Sequence, residues 1–291
     1  MKKAWIAISA VMLMLAPCVA FAAVQKPTLR ANSTLYARAD SEFESAIVID
    51  ARTGQQLYAY KPDLLWPGAS LTKLMNAIVT VNLKPRWSKI VALSSKDEVG
   101  GGRLRVVDGS TMSFQDMFYS TLVSSTNNTA TAMARLSTLG VAGFVKQMNK
   151  NAAAFGMSHT TYVDPSGMDP KNVTTAHDLA ILAQKSFGIP TIQQAVDTAT
   201  YVFSIRNSKV VKKLVSTDEL LTHDPNVWVM GGKTGFLYES MYNLIVEMKG
   251  YPFTPGQPPV YVVVLGSQTR SGSFASAKSL AEWAWANYEW K

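Results

Sequence analysis

Ser70 stands three residues before Lys73 in Pro67-Gly68-Ala69-Ser70-Leu71-Thr72-Lys73, at the head of an apolar run from Leu74 to Val81. The spacing predicts a helix that ends near Lys84-Pro85. On a helix, residues three apart share a face, so the Ser70 hydroxyl and the Lys73 amine point into the same space. A serine becomes a nucleophile when a neighbouring base takes its proton. A lysine one turn away is such a base if its surroundings keep it neutral.

Before this stretch, Ser45 to Ala51 reads as an apolar strand, Thr53-Gly54 as a turn and Gln55 to Tyr60 as the returning strand of a hairpin. After it come helical patterns. Ser113-x-x-Asp116 resembles a capping box and opens a helix to Val123, and Asn128–Leu139, Val141–Phe155 and Thr175–Phe187 follow. Asp164-Pro165-Ser166-Gly167-Met168-Asp169-Pro170 reads as a loop from its Pro and Gly content. Strand patterns return at Thr200–Ile205, Val227–Met230, Met241–Met248 and Val260–Gly266, and a helix over Phe274–Trp290 closes the chain. The expected fold is therefore α/β (α+β): an antiparallel sheet flanked by helices, with an all-helical subdomain.

The first segment reads as a secretory signal over residues 1–22. Lys2 and Lys3 form its positive end, Trp5 to Val19 its apolar run, and Ala20-Phe21-Ala22 its cleavage site. Pro17 occupies the place where lipid attachment at Cys18 needs a small residue. Removing the signal takes the net charge from +8 to +6, by loss of two lysines, and removes the one cysteine. An exported chain without disulfides relies on its core, and 291 residues with 47% hydrophobic content supply one. The basic excess is spread out, with no Lys/Arg cluster among aromatics, which excludes a nucleic-acid reading. It suits an anionic polymer such as a cell wall. Residues 23–43 are mixed and polar and are expected to form an N-terminal arm or linker.

Two further motifs follow Ser70-x-x-Lys73. Ser125-Thr126-Asn127 lies at the junction of two expected helices, and Lys233-Thr234-Gly235 between two expected strands. A serine-x-x-lysine arises by chance roughly once in a chain of this length, and a lysine-threonine-glycine about tenfold less often. Order and placement together carry the weight. Each also has a plain reading: Ser70 as a helix N-cap, Ser125 and Asn127 as caps between helices. Thr126-x-Asn128 is a competing register for the second motif. Gly231-Gly232-Lys233-Thr234 imitates half of a phosphate loop, but Val227 stands where its first glycine belongs and a strand follows. His159, His177 and His223 are far apart with no metal-like spacing.

The motif set resembles that of active-site-serine penicillin-binding proteins and β-lactamases. The chain is similar to the S11 low-molecular-mass penicillin-binding proteins, which are serine D-Ala-D-Ala carboxypeptidases and endopeptidases. The resemblance runs from Ser45 to Trp290. It includes Ser125-Thr126-Asn127-Asn128-Thr129-Ala130, Asp164-Pro165-Ser166-Gly167-Met168, Thr174-Thr175-Ala176-His177-Asp178-Leu179-Ala180 and Gly101-Gly102-Arg103-Leu104-Arg105-Val106. Asn128 departs from the aspartate common in the family. The resemblance implies one DD-peptidase domain over residues 44–291 with a helical subdomain inserted at about 86–190. It implies peptidoglycan stem peptides as substrate, β-lactams as covalent inhibitors, no cofactor, no metal, and location in the periplasm or cell envelope without a lasting membrane anchor.

In this reading Ser70 attacks the carbonyl, Lys73 takes its proton, and Ser125, within reach of both lysines, relays a proton to the leaving amine. Burial and the second cation, Lys233, depress the Lys73 pKa. Asn127 donates to the substrate amide, and Lys233 and Thr234 hold a substrate carboxylate. Gly235 lets the substrate lie flat on the strand. By resemblance, the oxyanion hole is the amides of Ser70 and Phe236, worth roughly 3 kcal/mol each. The compact chain is nearer the penicillin-binding protein 7 type of endopeptidase. A β-lactamase of the same fold needs a second base, a glutamate in class A, and none occurs between Phe155 and Pro190. A non-catalytic wall-binding protein would not need the motifs. Trp283, Trp285 and Trp290 are expected to pack on the sheet, since the polar side of their helix is not basic.

Overall fold

The apolar runs at Ser45–Asp50 and Val260–Ser267 are buried along their whole length, so both faces of these strands must be covered. In the computed structural model, which describes residues 24–38, 42–224, 227–250 and 257–290, they form the middle of a five-stranded sheet. We label its strands β1 (Ser45–Asp50), β2 (Gln56–Tyr60), β3 (Val227–Leu237), β4 (Met241–Gly250) and β5 (Val260–Ser267). The order is β3-β4-β5-β1-β2 and every pairing is antiparallel. The expected signal over residues 1–22 lies outside the described residues.

Alternation along the strands divides the core in two. Ile47, Ile49, Ile245, Val263 and Leu265 face a helical layer. That layer is α1 (Thr72–Asn82), α2 (Phe114–Val123), α3 (Asn127–Leu136), α4 (Gly140–Phe155), α5 (Ala176–Phe187) and α6 (Pro190–Val196). Ala46, Val48, Leu244, Val246, Val262 and Val264 face the other way. There they pack with Leu220 of α7 (Glu219–His223) and with α8 (Arg270–Asn287). Ser113 and Asp116 cap α2 reciprocally. Short hairpins at Ile90–Ala92 with Thr111–Ser113, and Thr200–Ser204 with Val211–Val215, border the helices.

Several elements differ from the sequence expectation. The strand expected over Val227–Met230 runs on to Leu237, so Lys233-Thr234-Gly235 lies inside one strand and not between two. α8 stops at Asn287, and Tyr288–Glu289 pair antiparallel with Thr28–Leu29. The polar arm is thereby fastened to the chain's other end, where Trp283 Nε1 donates to Thr34 O at 2.8 Å. Trp285 is buried against the sheet, and Trp290 lies beyond the helix with its indole donating to Asp50. No helix among the described residues is long and apolar enough to cross a membrane.

Candidate active site

α1 is buried from Thr72 to Thr80 on every side, so it passes through the core instead of lying along the surface. A 3-10 turn over Ala69–Leu71 leads into it. Ser70 therefore sits on the 3-10 turn and Lys73 on the helix proper. Residues three apart are in register on such a turn, and Lys73 Nζ lies 2.7 Å from Ser70 Oγ. Ala69, just before the serine, has φ +46, a left-handed conformation unusual for a residue with a side chain.

Lys73 is fully buried. Besides Ser70, its amine donates to Asn127 Oδ1 at 2.6 Å and to Ser166 O at 2.7 Å. Asn127 Nδ2 donates to Gly100 O at 2.9 Å, which fixes the amide with its oxygen toward the lysine. Burial holds the Lys73 amine well below the ordinary lysine range, Lys233 adds to that, and Asp164 opposes it. The contacts suit a neutral amine. Two carbonyl oxygens can only accept, so they use both of its hydrogens. The lone pair is left for the Ser70 hydroxyl to donate to.

Ser125 follows α2 with φ +57. Its Oγ accepts from Lys233 Nζ at 2.7 Å, and the same ammonium donates to Thr234 O at 2.9 Å. Burial lowers Lys233 to about 7, with Asp218 pushing back. Ser125 thus pairs with Lys233, and the expected second contact to Lys73 is not formed. The competing register resolves geometrically. Thr126 bonds Thr129, and Asn128 braces the 98–104 loop, accepting from Leu104 N and donating to Leu104 O and Glu98. Both face away from the lysines.

Thr234 lies on β3 beside Lys233, and its hydroxyl donates to Thr217 Oγ1 at 2.6 Å. A Cβ on Gly235 would come 3.2 Å from Gly68 O and from Ser70 N. The glycine thus lets the strand close on the Ser70 turn. That approach brings the part of β3 that carries exposed Phe236 against the Ser70 amide.

The backbone that grips Lys73 was outside the expected site. Asp164 accepts from Ser166 N and Oγ at 2.6 Å and from Gly167 N and Asp169 N at 2.9 Å, folding the loop onto itself. Gly167 has φ +85, and a Cβ there would lie 1.9 Å from Ala69 O. Asn76 donates to Pro165 O at 2.9 Å and to Ala130 O at 3.1 Å, joining the loop to α1 and α3. Thr217 and Asp218 also went unnoticed. The Asp-Pro-Ser-Gly run was the one available signal, as a polar turn in a chain otherwise rich in apolar helix. His177 pairs with Asp63 at the surface and takes no part. Among the described residues no group of His, Cys, Asp or Glu could hold a metal ion.

Residues 32–269 match the Peptidase S11 family, described as D-alanyl-D-alanine carboxypeptidase. A D-alanyl-D-alanine endopeptidase of Pseudomonas aeruginosa is 34% identical over 95% of this chain and 87% of its own length. One from Escherichia coli is 31% identical over 97% of this chain and 89% of its own. Among solved structures, penicillin binding protein 5 from Haemophilus influenzae superposes with a TM-score of 0.77 at 26% identity, covering 87% of this chain and 74% of that one. Penicillin-binding protein D2 from Listeria monocytogenes, in its cefotaxime-bound form, gives 0.72 at 28% identity over 86% and 99%.

Proposed function

The chain belongs to the S11 family of D-alanyl-D-alanine carboxypeptidases and is a serine-type DD-peptidase, and we propose that Ser70, Lys73 and Ser125 carry its chemistry, with Asn127, Lys233, Thr234, Gly235 and Phe236 holding the substrate. The observation that carries this assignment is Ser70 Oγ at 2.7 Å from a buried amine whose other two contacts are carbonyl oxygens.

Ser70 Oγ attacks the carbonyl carbon of the bond next to D-alanine and gives its proton to Lys73. The oxyanion is held by the amides of Ser70 and Phe236. As the C–N bond breaks, Ser125 gives its proton to the departing amine and draws a replacement from the Lys233 ammonium. Water then attacks the ester. Its proton restores Lys233 through Ser125, and Ser70 recovers its own from Lys73 as the ester C–O bond breaks. Lys233 and Thr234 meet the terminal carboxylate of the leaving group, so loss of the Lys233 proton weakens that grip when the product must leave. Asn127 accepts from Lys73 and uses one amide hydrogen on Gly100 O, which leaves the other to donate to the substrate amide.

The substrate is the stem peptide of peptidoglycan, and β-lactams acylate Ser70. The two endopeptidase relatives, matched over nearly the whole of this chain, favour cleavage of D-alanine cross-links. The leader expected over residues 1–22 supports a location in the periplasm or cell envelope. A β-lactamase reading finds no support in the loop at 164–169: of its two aspartates Asp164 is occupied by four donors and Asp169 accepts from Lys171 N, and the loop backbone lies against the Ser70 turn. The penicilloyl adduct is therefore long-lived. Labelling with a fluorescent penicillin tests the nucleophile: Ser70→Ala abolishes it, and retained labelling at the same stoichiometry removes Ser70 from the role. Mass spectrometry of digested sacculi tests the cleavage. Loss of cross-linked dimers is expected, whereas conversion of pentapeptide to tetrapeptide with dimers intact means a carboxypeptidase.

A further inference from the structure

Behind β3, on the side away from the cleft, lies a carboxyl group that the chemistry above does not use. Asp218 is 1% exposed. Its Oδ1 accepts from Leu220 N at 3.0 Å and caps α7. Its Oδ2 is buried and has no hydrogen-bond partner among the described residues. It presses on the one position of the strand that can admit it. A Cβ on Gly232 would lie 2.0 Å from Asp218 Oδ2, so any other residue there would drive the carboxyl away. Neighbouring strand residues point to opposite faces, and the next one, Lys233, reaches the other way to Ser125. Thr217, adjacent to Asp218, accepts from Thr234. One short segment thus backs both polar residues of the carboxylate-holding motif.

An unpaired buried carboxylate is costly, and an N-cap needs no charge, since serine or asparagine caps as well. We propose that Asp218 is a positioning residue whose negative charge, acting through the strand at Gly232, keeps Lys233 an ammonium ion in the pH range where the enzyme must grip a substrate carboxylate. This rests on the role given to Lys233 above. The groups around it leave few competitors. Glu219, its neighbour on α7, is tied to Arg270 of α8 at 2.9 Å, and Arg270 also donates to Thr217 O. On β4, Ile245 opposite Lys233 carries no charge, and Glu247 further along bonds Gln193 and feels Lys249. Lys278 of α8 is paired with Asp224. Lys233, one residue along the strand from the Gly232 that Asp218 abuts, is therefore the cation its charge acts on through the strand. The electrostatics agree in direction: burial raises Asp218 to about 6 against the Leu220 and Leu221 amides and the pull of Lys233, and Asp218 holds Lys233 up at about 7 against burial.

The test compares Asp218→Asn and Asp218→Ser with the wild-type enzyme. Both variants keep a capping side chain, and neither can be charged. The readout is kcat/KM against pH for a peptide ending in D-Ala-D-Ala and for the same peptide with a C-terminal carboxamide. For the free acid, the alkaline limb moves toward acid by about one pH unit in both variants, as expected when one opposite charge near a lysine is removed. KM for the free acid rises more than kcat falls; the carboxamide shares the loss in kcat that follows from the Lys233–Ser125 proton relay, and its KM is unaltered. Profiles that overlay the wild type for both substrates overturn the proposal and leave Asp218 a cap. An equal rise in KM for acid and carboxamide overturns it as well, since it reports general disorder. If one variant fails to fold, the other carries the comparison, and penicillin labelling certifies the fold. Failure of that labelling in the wild type strikes at the role of Ser70, whereas unaltered pH profiles in labelled variants strike only at Asp218.

Discussion

The two walls of the cleft each present a buried lysine, and they treat it differently. On the helical wall, Lys73 meets a hydroxyl and two carbonyl oxygens, set by α1, α3 and the loop at 164–168. On the strand wall, Lys233 meets a hydroxyl and one carbonyl, with Asp218 behind it. Burial lowers both pKa values; Asp164 pushes Lys73 back up and Asp218 pushes Lys233 back up, but Lys73 alone is also lowered by the charge of the other lysine. The lesson is that one residue type serves as base on one wall and as cation on the other, divided by what stands behind each.

The comparison breaks most directly at Lys73. Lys73→Arg keeps the charge and removes the neutral state, since a guanidinium stays protonated. Acylation by fluorescent penicillin is expected to slow by about 10³-fold, within the range for loss of a general base. A rate within tenfold of wild type would falsify the assignment of the two roles. The next probe loosens the helical wall without touching a lysine. Gly167→Ala places a Cβ against Ala69 O in a left-handed backbone, so the loop must shift and release Ser166 O. We expect a loss of about 2–3 kcal/mol in urea unfolding and acylation slowed at least tenfold; an unchanged melting curve with unchanged acylation would show that the loop's grip does not matter.

Third, pH separates the walls. Below the depressed Lys73 pKa the base is protonated and kcat falls. Above about 7 Lys233 loses its charge and KM for a free-acid peptide rises. A profile with a single limb would mean that only one lysine titrates functionally.

The last effect concerns stability and sharpens the contrast from behind. The folded-state pKa of Asp218 is raised to about 6, so folding disfavours its charged form, and the stability it costs is present above that pH and absent below the unfolded value. Asp218→Asn should therefore stabilise the protein by about 3 kcal/mol at pH 8 and by little at pH 4. Chemical denaturation at the two pH values measures this; an equal change at both would point to packing instead of charge.

How legible each wall was follows from the same contrast. Ser70 and Lys73 are three residues apart on one turn, and a local pattern reveals a local geometry. β1 and β5 announce themselves because strands buried on both faces are continuous apolar runs. β3 was cut short in the sequence pattern at Met230, because Gly231, Gly232 and Gly235 interrupt it. Those glycines are there to admit Asp218, Val196 and the Ser70 turn, contacts with residues far away in the chain. Ser166 acts through its backbone carbonyl, which no side-chain pattern can reveal. Ser125 was read as reaching both lysines, and its hydroxyl accepts from Lys233. Thr217 and Asp218 lie in a stretch whose only local signal is a helix cap.

The pairing of Thr28–Leu29 with Tyr288–Glu289 bears on the order in which the molecule can be finished. The two strands stand roughly 260 residues apart, so bringing them together closes a loop that takes in nearly the whole domain, and contacts of such long range form late in folding. Trp283 and Asn287, which bind Thr34, come into reach of the arm by the same closure. Removing Thr28–Leu29 or Tyr288–Glu289 should therefore leave the other strand loose.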